Sequence, residues 1–148
     1  MPELSIVDVR VFNYFSHTQD MNARFLITDI VRALKNNEVF KTSSDNIVRD
    51  FVTPPGFYAL IQAIIDFKPI NTALDCYTKS PVSKFDLLSE LESKFGLNYE
   101  INESIDIINA TGSKINYYST NKIAKDMGYD PINTSLESVI QEINFLGL

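Results

Sequence analysis

This sequence offers little for a cysteine nucleophile or for a metal site built on cysteine and histidine. Cys76 is the only cysteine and His17 the only histidine. A single cysteine excludes a disulfide within the sequence and a cysteine-based zinc site. No second histidine or cysteine is available to build a metal site around His17, and scattered carboxylates alone are weak evidence for one. Because Cys76 lies among apolar, β-prone residues with no basic neighbour, we expect a buried core thiol. We expect His17 to lie exposed in a polar loop.

Two carboxylates, Asp86 and Glu90, have a spacing that could serve acid–base chemistry. Four residues apart on a helix, they would share one face with a basic residue a turn further on. A solvated helix face explains this pattern better than catalysis. The helix predicted to carry them spans Lys84–Phe95, with a capping box that begins at Ser83 and with Gly96 just past its end.

Strand and helix patterns alternate along the rest of the chain. Apolar and β-branched runs predict strands at residues 4–12, 38–42, 47–52, 70–77, 97–101 and 105–110, the first buried on both faces. Helical spacing predicts helices at residues 22–35 and 57–66. Ser119 or Thr120 can cap a helix that ends at residues 127–128, and a capping box of Thr134 and Glu137 starts the last helix. This alternation predicts an α/β fold.

Composition limits the classes of protein to consider. The 148 residues fit one domain, 1–148, and 45% hydrophobic with 22% charged residues is ordinary for a globular chain. A net charge of −6 with no basic run argues against nucleic acid as a partner. No segment resembles a signal peptide or a membrane span, so we expect no membrane partner and a cytoplasmic location.

Five segments occur in an order that resembles one known family. They are RVFNY at residues 10–14, VFK at 39–41, RDFV at 49–52, NTALD at 71–75, and KDMGYDP at 125–131 before the last helix. In this order they resemble the C-terminal, substrate-side half of the extended short-chain dehydrogenases, the NAD-dependent sugar-nucleotide epimerases and dehydratases. The resemblance implies a partial Rossmann-type sheet of two parallel strands plus the small α/β substrate-binding region of that family.

The glycine-rich loop of this family, Gly-x-x-Gly-x-x-Gly, is missing. The five glycines stand at positions 56, 96, 112, 128 and 147, and no two fall within one such loop. The loop lets the backbone approach a pyrophosphate at a helix N-terminus. We therefore expect this chain alone to bind no cofactor, although the family uses NAD or NADP.

Tyr118 and Lys122 match the Tyr-x-x-x-Lys catalytic pattern of the family. The pattern works when both side chains share a helical face, so that the lysine holds the cofactor ribose and lowers the tyrosine pKa. Here the match comes after the substrate-side motifs, and Ser119 and Thr120 would cap a helix between the two residues. We predict no catalytic residue in this chain.

Asn13 and Arg49 are the candidate ligand-binding residues. Asn13 lies at the carboxyl end of the first strand, and in an open α/β sheet this end of the strand faces the ligand crevice. The resemblance implies that Asn13 binds the sugar or diphosphate of a nucleotide sugar and that Arg49 grips the diphosphate, for which a guanidinium is well shaped. Alternatively, Asn13 satisfies nearby backbone groups, and Arg49 pairs with Asp45 or Asp50. Just beyond, Thr-Pro-Pro-Gly at 53–56 departs from the family pattern.

Three functions remain open. The chain is half of an enzyme that works with a separate N-terminal cofactor-binding chain, a stand-alone binder of nucleotide sugars, or a structural remnant without a ligand. Strands at 7–12 and 72–77, cut from a larger sheet, would expose an unpaired edge. We therefore predict a homo-oligomer or a complex with a partner chain.

Overall fold

The structure is a computed structural model that describes residues 4–103 and 114–148, so the strand predicted at 105–110 lies outside the described residues. The strands are β1 (Val7–Val11), β2 (Asn13–Tyr14), β3 (Phe40–Thr42), β4 (Val48–Arg49), β5 (Phe51–Val52), β6 (Thr72–Cys76), β7 (Val82–Ser83), β8 (Tyr99–Ile101) and β9 (Asn116–Tyr117). The helices are α1 (Leu26–Asn36), α2 (Pro54–Asp66), α3 (Lys84–Phe95), α4 (Ser135–Asn144) and a 3₁₀ helix at Ile123–Met127.

The longest strands, β1 and β6, form a two-stranded parallel sheet, in which Val7 pairs with Thr72 and Val11 with Cys76. The chain between them passes through α1 and α2, as the crossover of a parallel pair requires. The α/β class and the pair of parallel main-sheet strands are thus confirmed.

Strand β1 is less buried than its sequence predicts. Asp8, Arg10 and Val11 are exposed, whereas Val7 and Val9 pack against an apolar cluster. The backbone nitrogen of Thr72 donates to the carbonyl of Ile6, so the alternation along the strand directs the backbone groups of Val7, Val9 and Val11 to the other edge. No other strand in the described residues pairs along that edge. The apolar cluster covers the face of β1 that carries Val7 and Val9, so the side chains of Asp8 and Arg10 on the opposite face are exposed.

Short strands build a smaller region beside this sheet. β2 pairs with β5 and β3 with β8, both in parallel, while β4 lies between an antiparallel β7 and a parallel β9. The single strand predicted at 47–52 is wrong. It divides at Asp50 into β4 and β5, which belong to different sheets, because neighbouring residues find different distant partners.

Helix boundaries follow the capping chemistry. For α3, the Ser83 hydroxyl accepts the Asp86 amide and Gly96 ends the helix at φ 72°, as predicted. Helix α1 starts at Leu26, four residues later than predicted, because the Thr28 hydroxyl accepts the Phe25 amide and closes the first turn there. Helix α2 starts earlier than predicted, at Pro54, since proline suits a first turn.

The helix predicted to be capped by Ser119 or Thr120 is instead a 3₁₀ helix at Ile123–Met127 without a side-chain cap. The Ser119 hydroxyl accepts the Asn121 amide and donates to the buried carboxylate of Asp75. Ser119 therefore anchors this segment to β6 and does not cap a helix.

Two apolar clusters hold the elements together. The larger lies among α1, α3 and α4 and includes Ile30, Leu88 and Ile143. The smaller lies under β1 and β6 and includes Leu60 and Leu74. No helix in the described part of the chain is both long and apolar enough to cross a bilayer.

Candidate functional site

Asn13 and Arg49 line the same cavity, which has a volume of about 340 Å³. Asn13 begins β2, two residues beyond the end of β1, so it stands at the carboxyl end of a main-sheet strand. Most of the remaining wall is apolar and includes Tyr14, Phe25 and Leu26. The structure therefore brings together both residues that the sequence predicts to contact a ligand.

Arg49 is 3% exposed and is fixed by main-chain carbonyl groups. Its Nη1 donates to the oxygens of Val48 at 2.9 Å and Ile115 at 3.0 Å, and Nη2 donates to that of Lys114 at 2.9 Å. Burial lowers the pKa of Arg49, while Tyr117 raises it. Because an arginine pKa lies so far above 7, the guanidinium stays protonated and places a positive charge at the cavity wall.

Tyr117 contacts both Asn13 and Arg49. Its carbonyl accepts the Asn13 Nδ2 at 3.4 Å, and its ring centre lies 5.9 Å from the Arg49 guanidinium carbon. The ring also meets Phe12 edge to face, with the centroids 5.2 Å apart, and Lys114 Nζ lies 4.6 Å from its centre. Tyr117 therefore holds the asparagine and the arginine in one arrangement.

Asp50, next to Arg49, anchors the site to the main sheet. Its carboxylate is buried and accepts hydrogen bonds from the amide and the hydroxyl of Thr78, which lies just past β6. The sequence leaves open a pairing of Arg49 with Asp50. In the structure, the Asp50 carboxylate binds Thr78 and so joins the segment between β4 and β5 to the end of β6.

Tyr118 and Lys122 do not have the arrangement that Tyr-x-x-x-Lys chemistry needs. Residues 118–122 lie outside any helix, between β9 and the 3₁₀ helix. Lys122 instead places its Nζ 3.6 Å from the centre of the Tyr77 ring. The two side chains therefore share no helical face, as the sequence context predicts.

His17 lies in the predicted polar loop with its side chain 36% exposed, and it is also held by a partner distant in sequence, which the sequence does not indicate. Its backbone nitrogen and its Nδ1 lie 2.8 and 2.7 Å from Oε2 of Glu142, a carboxylate that is 3% exposed on α4. The Phe145 ring lies against the imidazole with a centroid distance of 5.0 Å. A buried carboxylate requires such donors, so the loop is tied to the last helix.

Cys76 is 2% exposed, which confirms the predicted core thiol. Burial raises its pKa to about 12 and also raises the pKa of Tyr129, whose hydroxyl donates to the carbonyl of Tyr77. A protonated thiol is a poor nucleophile. The described residues contain no group of three or more side chains able to hold a metal ion.

The sequence reasoning missed Tyr117 and Glu142. Tyr117 reaches the site through the pairing of β9 with β4, and nothing local in the sequence marks that pairing. Glu142 could have been noticed, because it interrupts the apolar face formed by Val139, Ile143 and Leu146 on the predicted helix. A carboxylate at such a position has a buried partner.

Comparison with solved structures reveals the architecture. Over 97% of its length, the chain superposes on UDP-glucuronic acid 4-epimerase from Bacillus cereus, solved in complex with UDP-glucuronic acid and NAD, at 16% identity and a TM-score of 0.78. It also superposes on MoeE5 in complex with UDP-glucuronic acid and NAD, at 17% identity and a TM-score of 0.77. UDP-glucose 4-epimerase from Thermotoga maritima, solved with UDP-glucose, gives 14% identity and a TM-score of 0.77.

The match covers only part of each solved structure. The chain covers 46% of each of these two epimerases and 47% of MoeE5. No protein-family model matches the sequence, and no curated protein matches it. The chain therefore has the fold of about half of an NAD-dependent UDP-sugar epimerase, in agreement with the C-terminal half that the order of its sequence motifs indicates.

Proposed function

We propose that the cavity formed by Asn13 and Arg49 binds the diphosphate and sugar of a UDP-sugar. One observation carries this proposal: two polar side chains that are remote in sequence line a single, largely apolar cavity beyond the carboxyl end of β1. Ligands of open α/β sheets bind in this position.

The chemistry of the wall suits such a ligand. The Arg49 guanidinium supplies a fixed positive charge for a diphosphate, and the Asn13 amide supplies hydrogen-bonding groups. Apolar side chains such as Phe25 and Leu26 can cover the faces of a sugar or a base. The structural neighbours solved with UDP-glucuronic acid or UDP-glucose support this class of ligand.

We infer further that this chain supplies only the substrate side of a reaction. The hydride chemistry of an epimerase uses NAD, and the glycine-rich loop for the dinucleotide is missing from this sequence. A cofactor-binding part, in a longer form of the same protein or in a separate chain, would complete the site. The redox step then belongs to the assembled protein.

Titration calorimetry with UDP-glucose and UDP-glucuronic acid tests the binding proposal. Saturable binding is expected, with UDP as a competitor, and addition of NAD alone should give no heat. Absence of saturation by either UDP-sugar would overturn the proposal and favour a structural remnant without a ligand.

Asn13→Asp is the most informative variant, because it keeps the size of the side chain, adds a negative charge to the cavity wall and removes the Nδ2 donor to the Tyr117 carbonyl. A carboxylate several ångströms from a diphosphate costs on the order of 2 kcal/mol at an effective dielectric constant near 20, or about thirtyfold in Kd. Asn98→Asp makes the same change on an exposed loop and should leave the Kd within twofold of that of the unmodified chain. Equal effects of the two variants would place the ligand elsewhere.

A further inference from the structure

The segment at residues 15–20, called here the cavity loop, joins β2 to the residues that precede α1. It is braced internally: the Ser16 amide bonds the Gln19 side chain at 3.1 Å, and the Gln19 amide bonds the Ser16 carbonyl at 3.1 Å. The Ser16 and Thr18 hydroxyls lie 2.8 Å apart. Gln19 and the preceding Tyr14 both line the cavity.

Glu142 ties this braced loop to α4. One carboxylate oxygen meets both the backbone nitrogen and the Nδ1 of His17, at 2.8 and 2.7 Å. Hydrogen bonds to a charged acceptor are stronger than neutral ones, so loss of the Glu142 charge would weaken both bonds to the half-buried His17. Glu142 also lies close enough to Tyr14 to raise the pKa of that phenol, after the larger effect of burial.

Helix α4 has other attachments that do not involve the loop. The Ser135 hydroxyl accepts the Phe51 amide at 2.8 Å, and Val139 and Ile143 are fully buried in the larger apolar cluster. Weakening the bond between Glu142 and His17 should therefore loosen the loop while the helix stays docked.

We propose that Glu142 is a positioning residue, which through His17 holds the cavity loop in the conformation that binds the UDP-sugar. This inference rests on the proposed function, because the loop can matter for affinity only if the cavity takes that ligand. If the loop opens so that about one tenth of the molecules remain competent, the apparent Kd rises about tenfold.

The decisive variant is Glu142→Gln, which keeps the size of the side chain and removes its charge. UDP-glucose affinity, measured by calorimetry, should fall about tenfold. Glu137→Gln is the matched control: it removes a charge from the N-terminal capping box of the same helix and has no contact with the loop. This control should lower the melting temperature while leaving the Kd within twofold.

A second pair of variants separates positioning from general destabilisation. His17→Ala should weaken UDP-glucose binding, whereas His17→Asn, whose amide nitrogen can take the place of Nδ1, should restore most of the affinity. Since His17 is the only histidine, its imidazole resonances need no assignment. In the unmodified chain, these resonances should shift when UDP-glucose is added. In ligand-free Glu142→Gln, they should differ in position from those of the ligand-free unmodified chain.

The outcomes are distinct. If the unmodified chain fails to bind UDP-glucose, the proposed function is wrong. If the unmodified chain binds and Glu142→Gln binds equally well, the positioning role is wrong and the proposed function stands. Should Glu142→Gln fail to fold, equal affinities of His17→Ala, His17→Asn and the unmodified chain would overturn the positioning role.

Discussion

The thiol of Cys76 should be almost inert while the chain is folded. It lies at the end of β6 with 2% of its surface exposed, and burial raises its pKa to about 12. The nearby charge of Asp50 also raises this pKa, while a hydrogen bond with Tyr129 lowers it. Reagents that attack the thiolate should therefore react with the native chain far more slowly than with the unfolded chain.

The size of this effect follows from the thiolate fraction. At pH 8, a pKa of about 12 leaves a thiolate fraction of about 10⁻⁴, whereas an ordinary cysteine with a pKa near 8.5 is about one quarter ionised. Ionisation alone thus predicts a rate about 2,000-fold lower in the folded state, and steric protection of Cys76 lowers it further.

The assay is the release of a chromophore from an aromatic disulfide reagent at pH 8, with and without guanidinium chloride. One thiol per chain makes the stoichiometry unambiguous. A double variant, Cys76→Ala with Ala59→Cys, places the thiol on the exposed face of α2 and should react rapidly when native. Native Cys76 reacting at the rate of this exposed control would refute the reasoning.

The same shift predicts how stability depends on alkaline pH. The folded state favours the protonated thiol, so the stabilisation from Cys76 is complete below the pKa of the unfolded cysteine. It is lost progressively as the pH rises through the interval up to about 12. Cys76→Ala should flatten this decline in denaturant titrations at pH 8 to 10.

Three further outcomes are expected. Tyr118→Phe should leave UDP-glucose affinity unchanged within twofold, and a large loss in calorimetry would place Tyr118 at the ligand. Thr134→Ala should lower the unfolding free energy by about 1 kcal/mol through loss of the α4 cap. Because hydrogen bonds from Thr134 lower the pKa of Glu137, the contribution of this cap should fade as the pH falls through that lowered value, visible in melts from pH 7 to 3. Finally, the open edge of β1 should produce self-association, and a monomer at every concentration in sedimentation would contradict it.

Elements with local signals could be predicted from the sequence. Helix α3 has a hydroxyl residue at Ser83 and a glycine at Gly96, and both of its ends are where these residues place them. The predicted start of helix α1 is four residues too early. The first turn is closed by Thr28, which lies inside the helix, whereas capping signals in a sequence are residues that precede a helix.

Elements defined by distant partners could not be predicted. Residues 47–52 look like one strand, yet β4 pairs with β9 and β5 with β2, and these pairings depend on chain reversals far away. The residues of the candidate site divide in the same way, into those that the sequence indicates and those that depend on distant contacts. Asn13 and Arg49 were identified through a resemblance, while Tyr117 and Glu142 act through contacts that span about a hundred residues.

Four consecutive residues at the division between β4 and β5 each serve a different part of the molecule. Arg49 faces the cavity, Asp50 bonds Thr78 beyond β6, Phe51 joins the larger apolar cluster, and Val52 joins the smaller one. Inserting a single residue between Asp50 and Phe51 would put the side chains on the two sides of the insertion out of phase with each other. Homologous proteins that vary freely in loop length elsewhere should therefore keep the spacing of this tetrapeptide fixed.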